Sequence, residues 1–130
     1  MRPTIIGPAT CPAGGPPPQF RVDTAELLLY LVELAGSREL MAGLAGRTPD
    51  NYFFGGEAGN VFATGTWWRV PGSVWRRLCR SEIMYYRVVA VDPLRGTSNP
   101  SVEDDSLEHL PAVRIAPPTA TVPGCAGRQE

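Results

Sequence analysis

Apolar and polar positions alternate most clearly over Met84 to Val91, where Tyr86, Val88 and Ala90 face one way and Tyr85, Arg87, Val89 and Val91 the other. Aromatic and β-branched residues of this kind suit a pleated surface, and both faces are largely apolar. The pattern predicts a central strand. Asp92-Pro93 ends the run by removing a backbone donor and fixing φ. Arg95-Gly96-Thr97 then supplies a turn, and Ser98 to Val102 resumes an extended path.

The rest of the body reads as short extended pieces between breakers. Phe20 to Asp23 predicts a first strand, Asn51 to Phe54 an aromatic one, Asn60 to Ala63 a short extended piece, and Thr66 to Val70 another strand. Pro71-Gly72-Ser73 turns the chain into a single helical turn, Val74 to Leu78, that places Trp75 and Leu78 against the core. Glu103 to Leu110 is acidic and polar, and Ala112 to Ile115 reads as a closing strand. Thr24 to Ala45 supports two readings. Leu27, Leu28, Leu31, Leu34 and Ala35 have helical spacing, with Asp23 or Thr24 as an N-cap and Gly36 as a stop, so pattern alone favours an amphipathic helix. The competing reading makes Leu29 to Ala35 a strand.

Composition divides the chain into three. Residues 1–19 hold six prolines and favour an extended arm, a linker or an edge strand; 20–115 is the folded body; 116–130 returns to proline, glycine and threonine. A chain of 130 residues with 43% hydrophobic positions has room for one core and for no second catalytic domain. The longest apolar run, Leu27 to Val32, is far short of the roughly 20 residues needed to cross a bilayer, so no membrane insertion is expected. No secretory leader is visible in the first residues, and an extracellular or cell-surface location is the expectation.

Charge changes the picture more by its kind than by its sum. The formal net charge is −1, which gives no general pull towards nucleic acid, and none is expected as a partner. All 12 basic residues are arginine. Lysine chemistry, Schiff-base or phosphate-loop, is therefore excluded. Of the three cysteines, Cys79 lies among core-like residues and reads as a buried free thiol. Cys11 and Cys125 lie in the two tails, where they pair within the chain, pair between chains, or both remain free.

The run from Tyr30-Leu-Val-Glu33 through the Trp-rich strand, Val70-Pro71 and Leu78 to Tyr85-Tyr86-Arg87-Val88-Val89-Ala90-Val91 and Ser98-Asn99-Pro100-Ser101 resembles the second half of a fibronectin type III domain. The likeness covers roughly Phe20 to Ser101 and is strongest over Tyr85 to Ser101. It implies an all-β, immunoglobulin-like sandwich with Tyr30 to Ala35 as a strand, and a non-catalytic role. Three features depart from the family pattern: no clear counterpart of its early core tryptophan, a long insertion from Arg38 to Gly65, and a strand after the usual last one.

Candidate chemistry is sparse. His109, the only histidine, sits beside Glu108, Asp104 and Asp105, in a loop where a solvated role is the plainer reading. Glu103, Asp104, Asp105 and Glu108 offer oxygen ligands without calcium-loop spacing, and no metal or cofactor is expected. No glycine pattern or nucleophile elbow appears, so no enzyme is expected. Trp67, Trp68, Arg69, Arg76, Arg77 and Arg80 form an aromatic and basic group suited to protein contact or to stacking on carbohydrate, with one of the adjacent tryptophans exposed. Ile5 and Ile6 in the front tail and Val122 in the rear one are β-prone, and could complete the sheet edge of a neighbouring copy. The favoured expectation is a structural or interaction module that assembles with copies of itself, or another protein, through its tails, with Cys11 and Cys125 as a possible lock. Carbohydrate binding is the alternative.

Overall fold

The computed structural model describes residues 2–24, 29–57 and 62–118. Two sheets pack face to face in an all-β, sandwich-like fold. The smaller sheet has the order β1 (Thr4–Ile6), β3 (Gln19–Asp23), β6 (Trp67–Arg69). The larger runs β2 (Thr10–Pro12), β9 (Ala112–Ala116), β7 (Ile83–Asp92), β4 (Leu29–Ala35), β5 (Tyr52–Gly55), with β8 (Thr97–Pro100) also paired to β7. β7 is central, as its two apolar faces require. β4 pairs along one side of it; β9 and β8 share the other, β9 on Ile83 to Tyr85 and β8 on Val89 to Asp92.

The core follows from alternation. Ile5, Phe20, Val22 and Trp68 point inward from the small sheet, and Tyr30, Val32, Leu34, Met84, Tyr86, Val88 and Val113 from the large one. The Phe20 ring bridges the sheets, its centroid 4.6 Å from Tyr86 and 6.1 Å from Trp68. α2 (Gly72–Leu78) closes one end by burying Trp75 and Leu78, as the sequence predicts. The indole N–H of Trp75 donates to the carbonyl of Gly15 at 3.2 Å, which leaves no buried polar atom without a partner there.

The helical reading of Thr24 to Ala45 is corrected over Leu29 to Ala35, which is β4; 25–28 lie outside the described residues. The physical reason is that β4 is covered on both sides from Val32 to Ala35. Tyr30, Val32 and Leu34 face the sandwich core, while Glu33 and Ala35 are buried beneath a second layer. A strand buried on both faces reads as a continuous apolar run and loses its period of two. The second layer is α1 (Glu39–Ala42) together with the 3₁₀ segment Asp104–His109. They enclose a smaller apolar cluster of Ala35, Met41 and Leu110, with Leu40, Tyr52, Tyr85, Val102 and Leu107 around it.

The proline-rich front segment is built into the sandwich. Ile5 pairs opposite Val22, and Cys11 opposite Ile115 in a parallel contact with β9. The Gly7 N–H donates to the Tyr86 hydroxyl at 3.0 Å, and Ala13 N–H to the Ala116 carbonyl at 2.9 Å. Later in the chain, Gly56 lets two backbones meet: a Cβ there would stand 2.4 Å from the carbonyl carbon of Phe62. Gly96 adopts a φ of 68° in the β7–β8 turn, where the Asp92 carboxylate accepts from the N–H groups of Leu94 and Arg95.

Candidate functional site

The outer face of the small sheet carries the exposed tryptophan. Alternation along β6 buries Trp68, 3% exposed, and turns Trp67 outward, 46% exposed. The strand register sets Ile6 opposite Arg21, and Arg21 opposite Trp67, so an apolar, a cationic and an aromatic side chain form one row across three strands. Ile6 is 65% exposed. Beside the row, Arg69 donates to the Pro17 carbonyl at 2.8 Å and to the Gln19 side-chain oxygen at 3.2 Å. The face is therefore amphipathic and held by ordinary strand pairing.

The arginines expected to join this tryptophan are dispersed. Arg76 and Arg77 project into solvent from α2, and Arg80 follows it in a turn, 3.8 Å from Asp50. Only Arg69 shares the strand of Trp67. Of the expected assembly residues, Ile5 lies in the protein's own core, Ile6 is on the exposed row, and Val122 lies outside the described residues. Cys11 is wholly buried and disulfide-bonded, and Cys79 has a free thiol; Cys125 lies outside the described residues.

A charged cluster on the opposite side of the molecule is one that the sequence reading missed. On the outer face of the large sheet, the Arg87 Nε donates to Glu33 Oε1 at 2.6 Å, with both side chains at least nine-tenths buried. A second Arg87 nitrogen reaches the Val102 carbonyl at 2.9 Å and Asp104 Oδ1 at 2.8 Å. The other Glu33 oxygen accepts from the Tyr52 hydroxyl and lies 3.6 Å from Arg47, whose guanidinium stacks 3.9 Å above the Tyr52 ring. Burial lowers the proton affinity of Arg87, but the hydrogen bonds and charges of Glu33 and Asp104 outweigh it, and its pKa stands raised. The Tyr52 hydroxyl is pushed up by burial, then by its hydrogen bond to Glu33. The signal was present: Glu33 and Arg87 are opposite charges set singly into two apolar strands.

This cluster has the chemistry of a fastener. Arg47 also donates from Nε to the Leu40 carbonyl at 2.6 Å, so one network ties α1, its following loop and the 3₁₀ segment onto β4 and β7. The Glu33 carboxylate is engaged by two arginines and a tyrosine, and its oxygens point into those contacts. His109 is exposed, 3.6 Å from Glu108. Among the described residues, no group of three histidine, cysteine or acidic side chains is placed to hold a metal ion, and no helix is long and apolar enough to cross a membrane. Comparison with protein-family models, with curated proteins and with solved structures found no match in any of the three.

Proposed function

We propose that this chain is a non-catalytic structural module that associates with copies of itself, built on a fibronectin type III-like sandwich. The family assignment is supported by the opposition of β1-β3-β6 to a sheet centred on β4 and β7, and by the tight turn joining β7 to β8. The observation that carries the functional reading is the row Ile6–Arg21–Trp67. Isoleucine and tryptophan on a regular, unroofed strand face give up water at little ordering cost, and tryptophan and arginine are the residue types that dominate the energetics of protein contacts. The row is self-complementary in kind, since Arg21 can stack on a neighbour's Trp67.

This reading moves assembly from the front tail to a sheet face. An arm lent to a neighbour would have to withdraw Ile5 and Cys11 from its own core and break the Gly7 to Tyr86 hydrogen bond. The exposed faces need no such rearrangement. Carbohydrate stacking remains the second reading because Trp67 offers an accessible ring beside polar groups from Arg21, Arg69 and Gln19.

Fluorescence tests the proposal directly. Trp68 and Trp75 are buried, so iodide quenching reports Trp67. Raising the protein concentration should shield Trp67 and weaken quenching, and Trp67→Phe should remove the change. Quenching that stays constant from dilute to concentrated protein would contradict this surface. Shielding only on adding oligosaccharide would favour the carbohydrate reading.

A further inference from the structure

The outer face of the large sheet is roofed along only half its length. α1 and the 3₁₀ segment cover the half that includes Ala35 and Tyr85, and the Glu33–Arg87 pair marks their limit. Beyond it, among the described residues, the same face continues without a roof. Leu31 lies opposite Val89, and Val89 opposite Pro100; Val91 is the next outward residue along β7. These four side chains are partly exposed. Phe54, 49% exposed, flanks them on β5, and Leu94, 96% exposed, stands in the turn beyond.

An occupant must lie on this face, because β7 has paired strands on both sides and β4 is flanked by β7, β5 and a bridge at Ala63. The ends of the patch point to what that occupant is. At the turn end stands Arg95, whose contact with Asp92 at 3.6 Å is a surface pair that constrains it little. At the roofed end stand Glu103, Asp104 and Asp105, all exposed; Arg2 pairs with Glu103 at 3.0 Å and Arg87 with Asp104, so Asp105 carries the excess negative charge of that end. Arg87, which holds Asp104, is two residues along β7 from Val89, about 7 Å, and Asp92, which holds Arg95, is three residues the other way, about 10 Å. An apolar centre lies between opposite charges at comparable distances. Rotation by a half turn about an axis through Val89 maps each charged end onto the other.

We propose that a second copy of this chain docks here through a two-fold interface, apolar patch on apolar patch, with Arg95 of each copy meeting the partner's Glu103 to Asp105 segment. Such an isologous contact closes on itself and makes a dimer. The Ile6–Arg21–Trp67 row lies on the opposite side of the sandwich and remains available. Two self-associating faces on opposite sides would join dimers into a linear array. The inference rests on the self-association reading, but it concerns a different surface, and the two fail separately.

The test is sedimentation equilibrium of the full chain, comparing wild type, Arg95→Glu, Asp105→Arg, the double variant and Trp67→Ala. Circular dichroism establishes that each is folded. The inference expects either single charge reversal to weaken dimerisation by roughly tenfold, because like charges then face each other, and the double variant to restore it. High salt should narrow these differences. Unchanged association in Arg95→Glu, or no recovery in the double variant, would overturn the inference. If association vanishes in Trp67→Ala and ignores the charge reversals, the small sheet alone carries assembly. Monomers at every concentration would overturn both proposals.

Discussion

Glu33 and Arg87 show how a single buried pair organises the space around it. Each charge costs energy to desolvate, and only a complete set of partners offsets that cost. Glu33→Gln leaves Arg87 with Asp104 as its one anionic contact, and is expected to lower stability by about 3 kcal/mol in urea denaturation. Replacing both partners, as Glu33→Leu with Arg87→Met, should cost less than the single change, because the most deeply buried charge leaves with its partner, while Arg47 and Asp104, which lose a contact, are nearer to water. A double variant as damaged as the single one would show that the pair holds the roof by something other than charge. Alkaline stability follows from the buried phenols. Tyr30 is raised from 10.0 to about 12 by burial and then by Glu57, and burial raises Tyr86 as well. A folded-state pKa above the unfolded one means that the folded protein holds its proton longer. That stability is whole below about pH 10 and is lost as pH rises through about 12. Denaturant midpoints measured across that window should fall steeply; a flat profile would contradict the burial of these rings.

At the scale of elements, the sequence was most legible where a strand has one neighbour type on each face and a clear stop. β7, its turn, β8, α2 and β9 follow from alternation, Pro and Gly placement and the paired burial of Trp75 and Leu78. β4 was harder because its outward Glu33 and Ala35 lie beneath α1 and the 3₁₀ segment, and a sequence does not say which distant segment will cover a face. The same fact hid the charged cluster, since Glu33 and Arg87 become partners only through the β4–β7 register. Of the candidate site, the opposite orientations of Trp67 and Trp68 were readable from alternation, whereas the separation of Arg76 and Arg77 from Trp67 depends on where α2 leaves β6. Gly56 offers a test of the crossing after β5. Gly56→Ala would drive its Cβ to 2.4 Å from the Phe62 carbonyl carbon, and thermal denaturation should reveal a loss on the order of 2 kcal/mol or more. A variant with unchanged midpoint would mean that this crossing is looser than described.

The whole molecule is a sandwich whose ends and edges are largely consumed by its own chain, and whose two outer faces are not. The front tail supplies an outer strand to each sheet, and short helical segments roof half of the large sheet. The exposed apolar side chains among the described residues include a row centred on Arg21 on one side and a patch centred on Val89 on the other. Such surfaces on a small domain mark contact sites more often than accidents of composition. The central claim is that copies of this chain fill them. Molar mass by light scattering over a dilution series tests it most directly. The account predicts a mass that rises with concentration above the 14.0 kDa of one chain and returns to it on dilution. A mass that stays at 14.0 kDa throughout would contradict it.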